Sequence, residues 1–290
     1  MNDTPKLFCL GYGYTARFFA ARKRAQAWRI TGTTTSPEKA AAMNEKGVAA
    51  HLWRGDGFDP LWLDGVDAIL ISTPPGEAGC PAFNAASQAI ADHAKQVRWI
   101  GYLSTNGVYG DHDGAWVNEE SELRSTSPRA LHRIEAEQSW RALASAHDLP
   151  LVIFRLPGIY GPGRSAIDTV RAGKARRILK EGQVFSRMHV EDIAAALDAS
   201  MDKPRLHTIY NLADDEPAPP QDVIDYACTL LGVEPPPLVA FKDADMSPMA
   251  KSFYADNKRV SNQRLKDALD FKLTYPTYRE GLQAIAKARS

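Results

Sequence analysis

Three cysteines in 290 residues, Cys9, Cys80 and Cys228, leave one over from any pairing and form no C-x-x-C. Neither a disulfide framework nor a thiolate metal site is suggested. The seven histidines are scattered and none stands in H-E-x-x-H, so no zincin-type centre is encoded. Surplus charge is missing as well, since 35 Lys and Arg balance 35 Asp and Glu. A nucleic-acid grip needs clustered cations, and a disordered acidic chain needs the opposite excess. Long apolar runs are also lacking. The longest stretch without charge, residues 78–91, has fourteen residues and contains Pro81, Asn84, Ser87 and Gln88, too short and too polar to span a bilayer. Asp3 and Lys6 bracket too little apolar sequence for a signal peptide. A cytoplasmic protein with neither a membrane nor a nucleic acid as partner is expected.

What is present is an alternation. Residues 6–10 read as a buried strand, and residues 11–16 turn into a helix running toward Arg24. Further short apolar runs at 29–33, 48–53, 67–72, 99–104 and 151–155 read as strands, with one more at 208–212. Helical patterns lie between them: one opening at Ser36-Pro37-Glu38 with Ser36 as N-cap, one at 81–97, and one at 128–147. Strand–helix alternation buries a parallel sheet between helical layers, and right-handed crossovers wind it both ways. The fold class expected is α/β, a Rossmann-like doubly wound parallel sheet with a smaller C-terminal lobe. Residues 1–160 and 188–213 are assigned to the dinucleotide-binding domain. Residues 161–187 and 214–290, with a helix at 222–231 between proline-rich punctuation, form the substrate-binding lobe.

Gly11-Tyr12-Gly13-Tyr14-Thr15-Ala16 is G-x-G-x-x-A at the junction of the first strand and first helix. Gly11 permits the tight turn, Gly13 lets a pyrophosphate approach the backbone, and Ala16 allows close helix–strand packing. The end of the second strand, where an NAD site places a carboxylate, reads Thr33-Thr34-Thr35-Ser36. Hydroxyls tolerate a 2′-phosphate, and Arg17 places a cation in the first helical turn, where the macrodipole disfavours it unless an anion is near. The expected cofactor is NADP, with NAD the alternative.

Four motifs then occur in order: Gly11–Ala16; Leu103-Ser104-Thr105-Asn106-Gly107-Val108-Tyr109-Gly110; Arg155-Leu156-Pro157-Gly158-Ile159-Tyr160-Gly161-Pro162-Gly163-Arg164; and Arg187-Met188-His189-Val190-Glu191-Asp192-Ile193-Ala194. Tyr210-Asn211-Leu212-Ala213 is a weaker fifth. Together they resemble the extended short-chain dehydrogenase/reductases, the NAD-dependent epimerase/dehydratase family, and specifically its atypical members. The resemblance implies that Thr105 hydrogen-bonds a substrate oxygen, with Ser104 beside it at the strand end. It implies that Thr73-Pro74-Pro75 runs past the cofactor and that Leu156-Pro157 meets its nicotinamide end. Homodimers that pair through helices flanking the sheet are also implied, the helix at 128–147 being one candidate.

The chain departs from the family at its catalytic dyad. The positions of Tyr and Lys in Y-x-x-x-K hold Arg129 and Arg133. A guanidinium stays protonated and cannot serve as general acid, whereas Arg133 could bind ribose hydroxyls or a phosphate. The best alternative proton donor is Tyr109. Tyr160 is also open, while His132 and the Glu119-Glu120 pair have weaker claims. The expected function is an NAD(P)-binding oxidoreductase or epimerase/dehydratase-like enzyme acting on a hydroxyl or carbonyl substrate. The alternative is a non-catalytic NADP-binding sensor or scaffold.

Neutrality conceals a separation of charge. Residues 164–180 carry six basic side chains against Asp168 alone, and residues 111–122 carry five acidic side chains with no Lys or Arg. The basic run is expected to draw in an anionic small-molecule substrate such as a nucleotide-sugar, a solvated helix face being the bland reading.

Overall fold

The computed structural model of the chain describes residues 4–204 and 209–288. Its first half runs β1 (Lys6–Leu10), α1 (Tyr14–Ala25), β2 (Arg29–Thr34), α2 (Pro37–Glu45), β3 (Ala49–Leu52), β4 (Ala68–Ile71), α3 (Pro81–Asp92), β5 (Trp99–Thr105), β6 (Trp116–Val117) and α4 (Pro128–His147). Then follow β7 (Leu151–Leu156), β8 (Gly158–Tyr160), α5 (Ala166–Arg171), β9 (Arg177–Leu179), β10 (Arg187–His189), α6 (Val190–Met201) and β11 (Ile209–Asn211). The remainder is α7 (Pro220–Leu231), β12 (Leu238–Ala240), α8 (Pro248–Phe253), β13 (Arg259–Val260), α9 (Gln263–Leu269) and α10 (Tyr278–Lys287).

Seven strands form one sheet in the order β11-β7-β5-β4-β1-β2-β3. The pairings of β1 with β2 and β4, of β2 with β3, and of β4 with β5 are parallel. The order reverses direction at β1, which is where a doubly wound sheet opens for a ligand at its carboxyl ends. Sequence explains the strands directly. Leu7 to Leu10 and Ala68 to Ile71 are buried without interruption, the signature of strands covered on both faces.

Local chemistry sets the helix ends. Ser36 accepts the Lys39 amide at 3.3 Å and starts α2, with Pro37 at its first position. Ser127 accepts the Ala130 amide at 3.3 Å and starts α4, which stops where Asp148 turns left-handed at φ 51°. The helix expected over 81–97 is shorter than its pattern. It ends at Asp92, and tight turns from Ala94 to Ala91 and from Gln96 to His93 return the chain toward β5. Of the strand expected at 208–212, Thr208 lies outside the described residues, and β11 covers the central part.

The chain divides into two compact units. The first holds residues up to Thr105, then Ser127–Arg155 and Ile193–Tyr210. The second holds Asn106–Thr126, Leu156–Asp192 and the chain from Asn211 onward. Residues 106–126, 156–160, 188–192 and 211–213 therefore group with the second unit, not with the dinucleotide-binding domain expected for them. The first unit's core joins Phe8, Leu10, Ile69 and Ile71 of the sheet to Ala86 and Ile90 of α3 and Trp140 of α4. In the second unit, Ile167 of α5, Val223 and Ala227 of α7, and Leu282 and Ile285 of α10 pack around Tyr160 and Tyr278.

Among the described residues, no helix is long and apolar enough to cross a membrane, and no cluster of His, Cys, Asp or Glu could hold a metal ion.

Candidate functional site

The glycine turn is held from three directions. Gly11 has φ 95°, a left-handed conformation that costs a non-glycine residue energy. A Cβ there would lie 2.9 Å from Ser72 Oγ and 3.2 Å from the Thr73 nitrogen, so β4's end excludes one. Ser72 Oγ donates to the Gly11 carbonyl at 2.5 Å, Gly11's amide donates to Thr33 Oγ1 at 2.8 Å, and Tyr12's amide donates to the Thr33 carbonyl at 2.8 Å. The ends of β2 and β4 thus clamp the loop between them.

Gly13 is different. A Cβ there would meet nothing within 4 Å, and its φ of −85° suits any residue. It starts α1 without a side-chain cap, and the first intrahelical bond runs from the Arg17 amide to the Gly13 carbonyl at 3.0 Å. A helix start presents several amide donors and about half a positive charge to whatever lies before it. Beside it, Thr73 Oγ1 is buried with no hydrogen-bond partner among the described residues. An open approach to Gly13, an uncapped helix start and an orphan hydroxyl fit a pyrophosphate-bearing dinucleotide.

The other expected cofactor residues fall into two groups. Tyr12 lies across Gly32, where a Cβ would meet its ring carbon at 3.3 Å. Tyr14 carries the Arg17 guanidinium 5.7 Å from its ring centroid. Thr34 is half-buried and Pro74 exposed. Ser36 donates to the Glu38 carboxylate at 2.5 Å, which helps hold that exposed carboxyl below its usual range. Thr15, Thr33 and Ser104 are buried. The hydroxyls of Thr33 and Ser104 bond the Gly11 amide and the Glu137 carboxylate.

Ser104 donates to Glu137 Oε1 at 2.5 Å, and Arg155 grips the same carboxylate at 2.8 and 3.2 Å. The side chains of the ion pair are each 4% exposed. This buried network joins β5, α4 and β7 and fixes the helix that carries Arg129 and Arg133. Arg133 reaches the end of β5, where it donates to the Leu103 carbonyl at 2.6 Å and approaches the Tyr102 hydroxyl at 3.4 Å. Arg129 is exposed and Thr105 half-buried at the strand end.

Residues 85–213 match the sequence profile of the NAD dependent epimerase/dehydratase family. The match spans 129 of the 290 residues, and it is that segment which resembles the family. It is 28% identical to Protein YeeZ of Escherichia coli (strain K12), over 93% of this chain and 96% of that one. A functionally unknown conserved protein from Silicibacter pomeroyi DSS superimposes with a TM-score of 0.91 at 50% identity, covering 99% of both chains. The UDP-glucuronic acid 4-epimerase of Bacillus cereus, in complex with NAD, superimposes with a TM-score of 0.76 at 16% identity, over 98% of this chain and 99% of that one. That last likeness concerns the fold.

The partial family match directs attention to the proton donor, and the second unit is informative there. Tyr109 is fully buried and donates to Asn211 Oδ1 at 2.7 Å, a packing geometry that leaves the phenol's proton inside the protein. In this structure the Tyr109 hydroxyl is engaged within the second unit. Tyr160 donates to the Thr277 carbonyl at 3.3 Å, and burial pushes its phenol well above the ordinary range. Its ring occupies the space that a Cβ on Gly281 would need. Glu119 accepts the Asn211 amide at 2.7 Å, and Arg264 pairs with both Glu119 and Glu120. The acidic pair is therefore tied into the unit's own structure. Leu156 is buried and Pro157 half-buried at the end of β7.

At least half of the basic run bonds locally. Arg176 and Lys180 bond the carbonyls of Asp245 and Tyr254, and Arg177 pairs with Asp225.

Two contributors escaped the sequence reading. Ser72, at the end of the strand expected over 67–72, gives no local signal beyond being a hydroxyl before Thr73. Glu137 lies one helical turn beyond Arg133, and its pairing with Arg155 depends on strand order that periodicity does not encode.

Proposed function

We propose that this chain binds a dinucleotide at the Gly11–Gly13 turn and acts as an oxidoreductase or epimerase/dehydratase-like enzyme on a hydroxyl or carbonyl substrate, a nucleotide-sugar being the favoured class. The open, uncapped start of α1 at Gly13, set beside a Gly11 clamped by Thr33 and Ser72, is the observation that carries the reading. Gly13 and the first turn of α1 would hold the pyrophosphate, with Thr73 lending its hydroxyl. A bound nicotinamide would supply hydride transfer; orientation and proton handling fall to the chain. Thr105 positions the reacting oxygen. Arg133, held on the Leu103 carbonyl, offers its remaining donors to ribose hydroxyls or a phosphate in place of the family's lysine.

NADP is preferred to NAD. The end of β2 carries Thr34, Thr35 and Ser36 with no carboxylate, and Arg17 lies exposed on the first turn of α1. Arg54, exposed after β3, follows Trp53, whose amide donates to the Thr34 carbonyl at 2.9 Å. A cation is thereby brought to the same sheet edge. Glu38 opposes them through its bond to Ser36, so the preference is tested by titrating NADPH against NADH and repeating with Arg17→Ala and Arg54→Ala. Loss of NADPH preference in either variant supports the assignment, and tighter NADH binding by the unaltered chain refutes it.

A second reading, a non-catalytic NADP-binding sensor or scaffold, is favoured by Arg129 in the tyrosine position and by the enclosed phenol of Tyr109. Incubation with NADPH and a panel of carbonyl compounds and nucleotide-sugars separates the two. Turnover abolished by Thr105→Val establishes the enzyme. Tight cofactor binding without turnover across the panel favours the sensor. A homodimer paired through α4 belongs to the same proposal, and Leu131→Glu on the exposed face of that helix should dissociate it in light scattering.

A further inference from the structure

The second unit contains a cavity of about 530 Å³ bordered by the loop after β8, by α5, and by residues of α7 and α10. Its size lies within the range of small-molecule pockets, roughly 300–1,000 Å³. Much of its wall is apolar or aromatic: Val223 and Ile224 from α7, Leu282 from α10, and the rings of Tyr160 and Tyr278. Three cations join this wall, Arg164, Lys174 and Arg187, against Asp168 as the one acidic lining residue. The Asp168 carboxylate already accepts the Ser165 hydroxyl at 2.7 Å.

Arg187 is the informative member. One of its terminal nitrogens, Nη1, donates to the carbonyls of Phe185 at 2.8 Å and Ala218 at 3.0 Å, which fixes the guanidinium in place. Among the described residues no carboxylate forms an ion pair with it. Asp214 is bonded to its backbone, the Asp214 amide donating to the Arg187 carbonyl at 2.6 Å. Burial pushes the Asp214 carboxyl up, while the nearby charge of Arg187 pulls it down. A fixed, part-buried guanidinium lining an apolar-walled cavity, with no carboxylate in ion-pair contact among the described residues, is an arrangement that favours an incoming anion. Lys174 is exposed and adds a second positive charge at the same cavity.

We propose that this cavity binds a phosphate monoester carrying a flat apolar body, with the phosphate at Arg187, Arg164 and Lys174 and the body against Val223, Ile224 and Leu282. A dianion suits a site with three cations and one acid better than a carboxylate does. Guanidinium geometry, with paired donors in one plane, matches phosphate oxygens. The site lies within the second unit and its argument uses no residue of the glycine turn, so it stands or falls apart from the dinucleotide reading.

Phenyl phosphate is the probe, titrated into the full-length chain by calorimetry alongside inorganic phosphate and benzoate. Saturable binding is expected for phenyl phosphate, weaker for the other two because each lacks one half of the recognised chemistry. Lys174→Glu, at an exposed position, should weaken phenyl phosphate about tenfold, and Ala172→Trp should block the cavity from its exposed edge. Gly13→Glu, which fills the glycine turn, should leave this binding intact. Each variant is compared by circular dichroism and melting temperature, so a folding defect is recognised. The proposal is overturned by absence of saturable binding to the unaltered chain. It is also overturned if Lys174→Glu and Ala172→Trp, both folded, bind phenyl phosphate unchanged, or if Gly13→Glu alone removes it.

Discussion

Thr33 Oγ1 accepts the Gly11 amide at 2.8 Å, so a side chain of β2 holds the tightest residue of the glycine turn. Thr33→Val keeps the shape but removes the acceptor, leaving a part-buried amide without its partner. The expected cost is about 1–3 kcal/mol of stability, accompanied by weaker dinucleotide binding, and Thr33→Ser should restore most of both. Urea unfolding and a cofactor titration on the two variants read the difference. Equal stability of Thr33→Val and the unaltered chain would remove the clamp from the account.

The two glycines of the turn should respond oppositely to the same added methyl. Gly11→Ala introduces a left-handed non-glycine residue and a contact with Ser72 and Thr73, so the fold should lose about 1–3 kcal/mol. Gly13→Ala meets no protein atom within 4 Å and should leave stability within about 0.5 kcal/mol. Its effect should instead appear as at least a tenfold loss of dinucleotide affinity. A Gly13→Ala chain that binds cofactor normally would show that the pyrophosphate does not approach there.

Glu137 sits between Arg155 and Ser104 with almost no exposure. Glu137→Leu alone strands a buried guanidinium, and removing one partner of such a pair costs about 3–5 kcal/mol. Glu137→Leu combined with Arg155→Met replaces the pair by apolar volume and should recover most of the loss. Chemical denaturation of the three chains measures the coupling, and additive losses in the double variant would contradict it.

Asp214 supplies a pH signature. Its folded carboxyl, pushed up to about 8 by burial, binds a proton that the unfolded carboxyl has released above its ordinary pKa of about 4. The folded state then carries the extra proton between those values, so this group's contribution to stability falls as pH rises from about 4 to 8. Asp214→Asn should flatten that part of the profile and raise the melting temperature most near pH 8. A steeper decline in the variant would reverse the sign of the argument.

Much of the fold was legible because the strands that build it are apolar runs between unmistakable breakers. Lys6–Leu10 and Pro128–His147 match their expected bounds, the first by continuous burial and the second by a Ser-Pro start and a left-handed Asp148. The helix expected to 97 overran because alanine-rich sequence favours helix until the chain must turn toward Trp99. The glycine turn was also legible, since its spacing is local. Which hydroxyls face outward was not. Thr33 and Ser104 share a residue type and a strand-end position with Thr34 and Thr105, and only tertiary partners, the Gly11 amide and the Glu137 carboxylate, decide which are buried. Tyr109 illustrates the same limit: its partner Asn211 lies 102 residues away in sequence.

Under the proposed dinucleotide assignment, the bare beginning of α1 would couple occupancy to endurance. A helix start with no side-chain cap is completed by whatever anion docks there, so a dinucleotide bound only to the folded chain doubles as a structural part. At a hundred times its dissociation constant such a ligand adds about 2.7 kcal/mol against unfolding. The lifetime of the protein would then track the dinucleotide supply around it, and a melting curve would serve as a gauge of that supply even if no substrate were ever turned over.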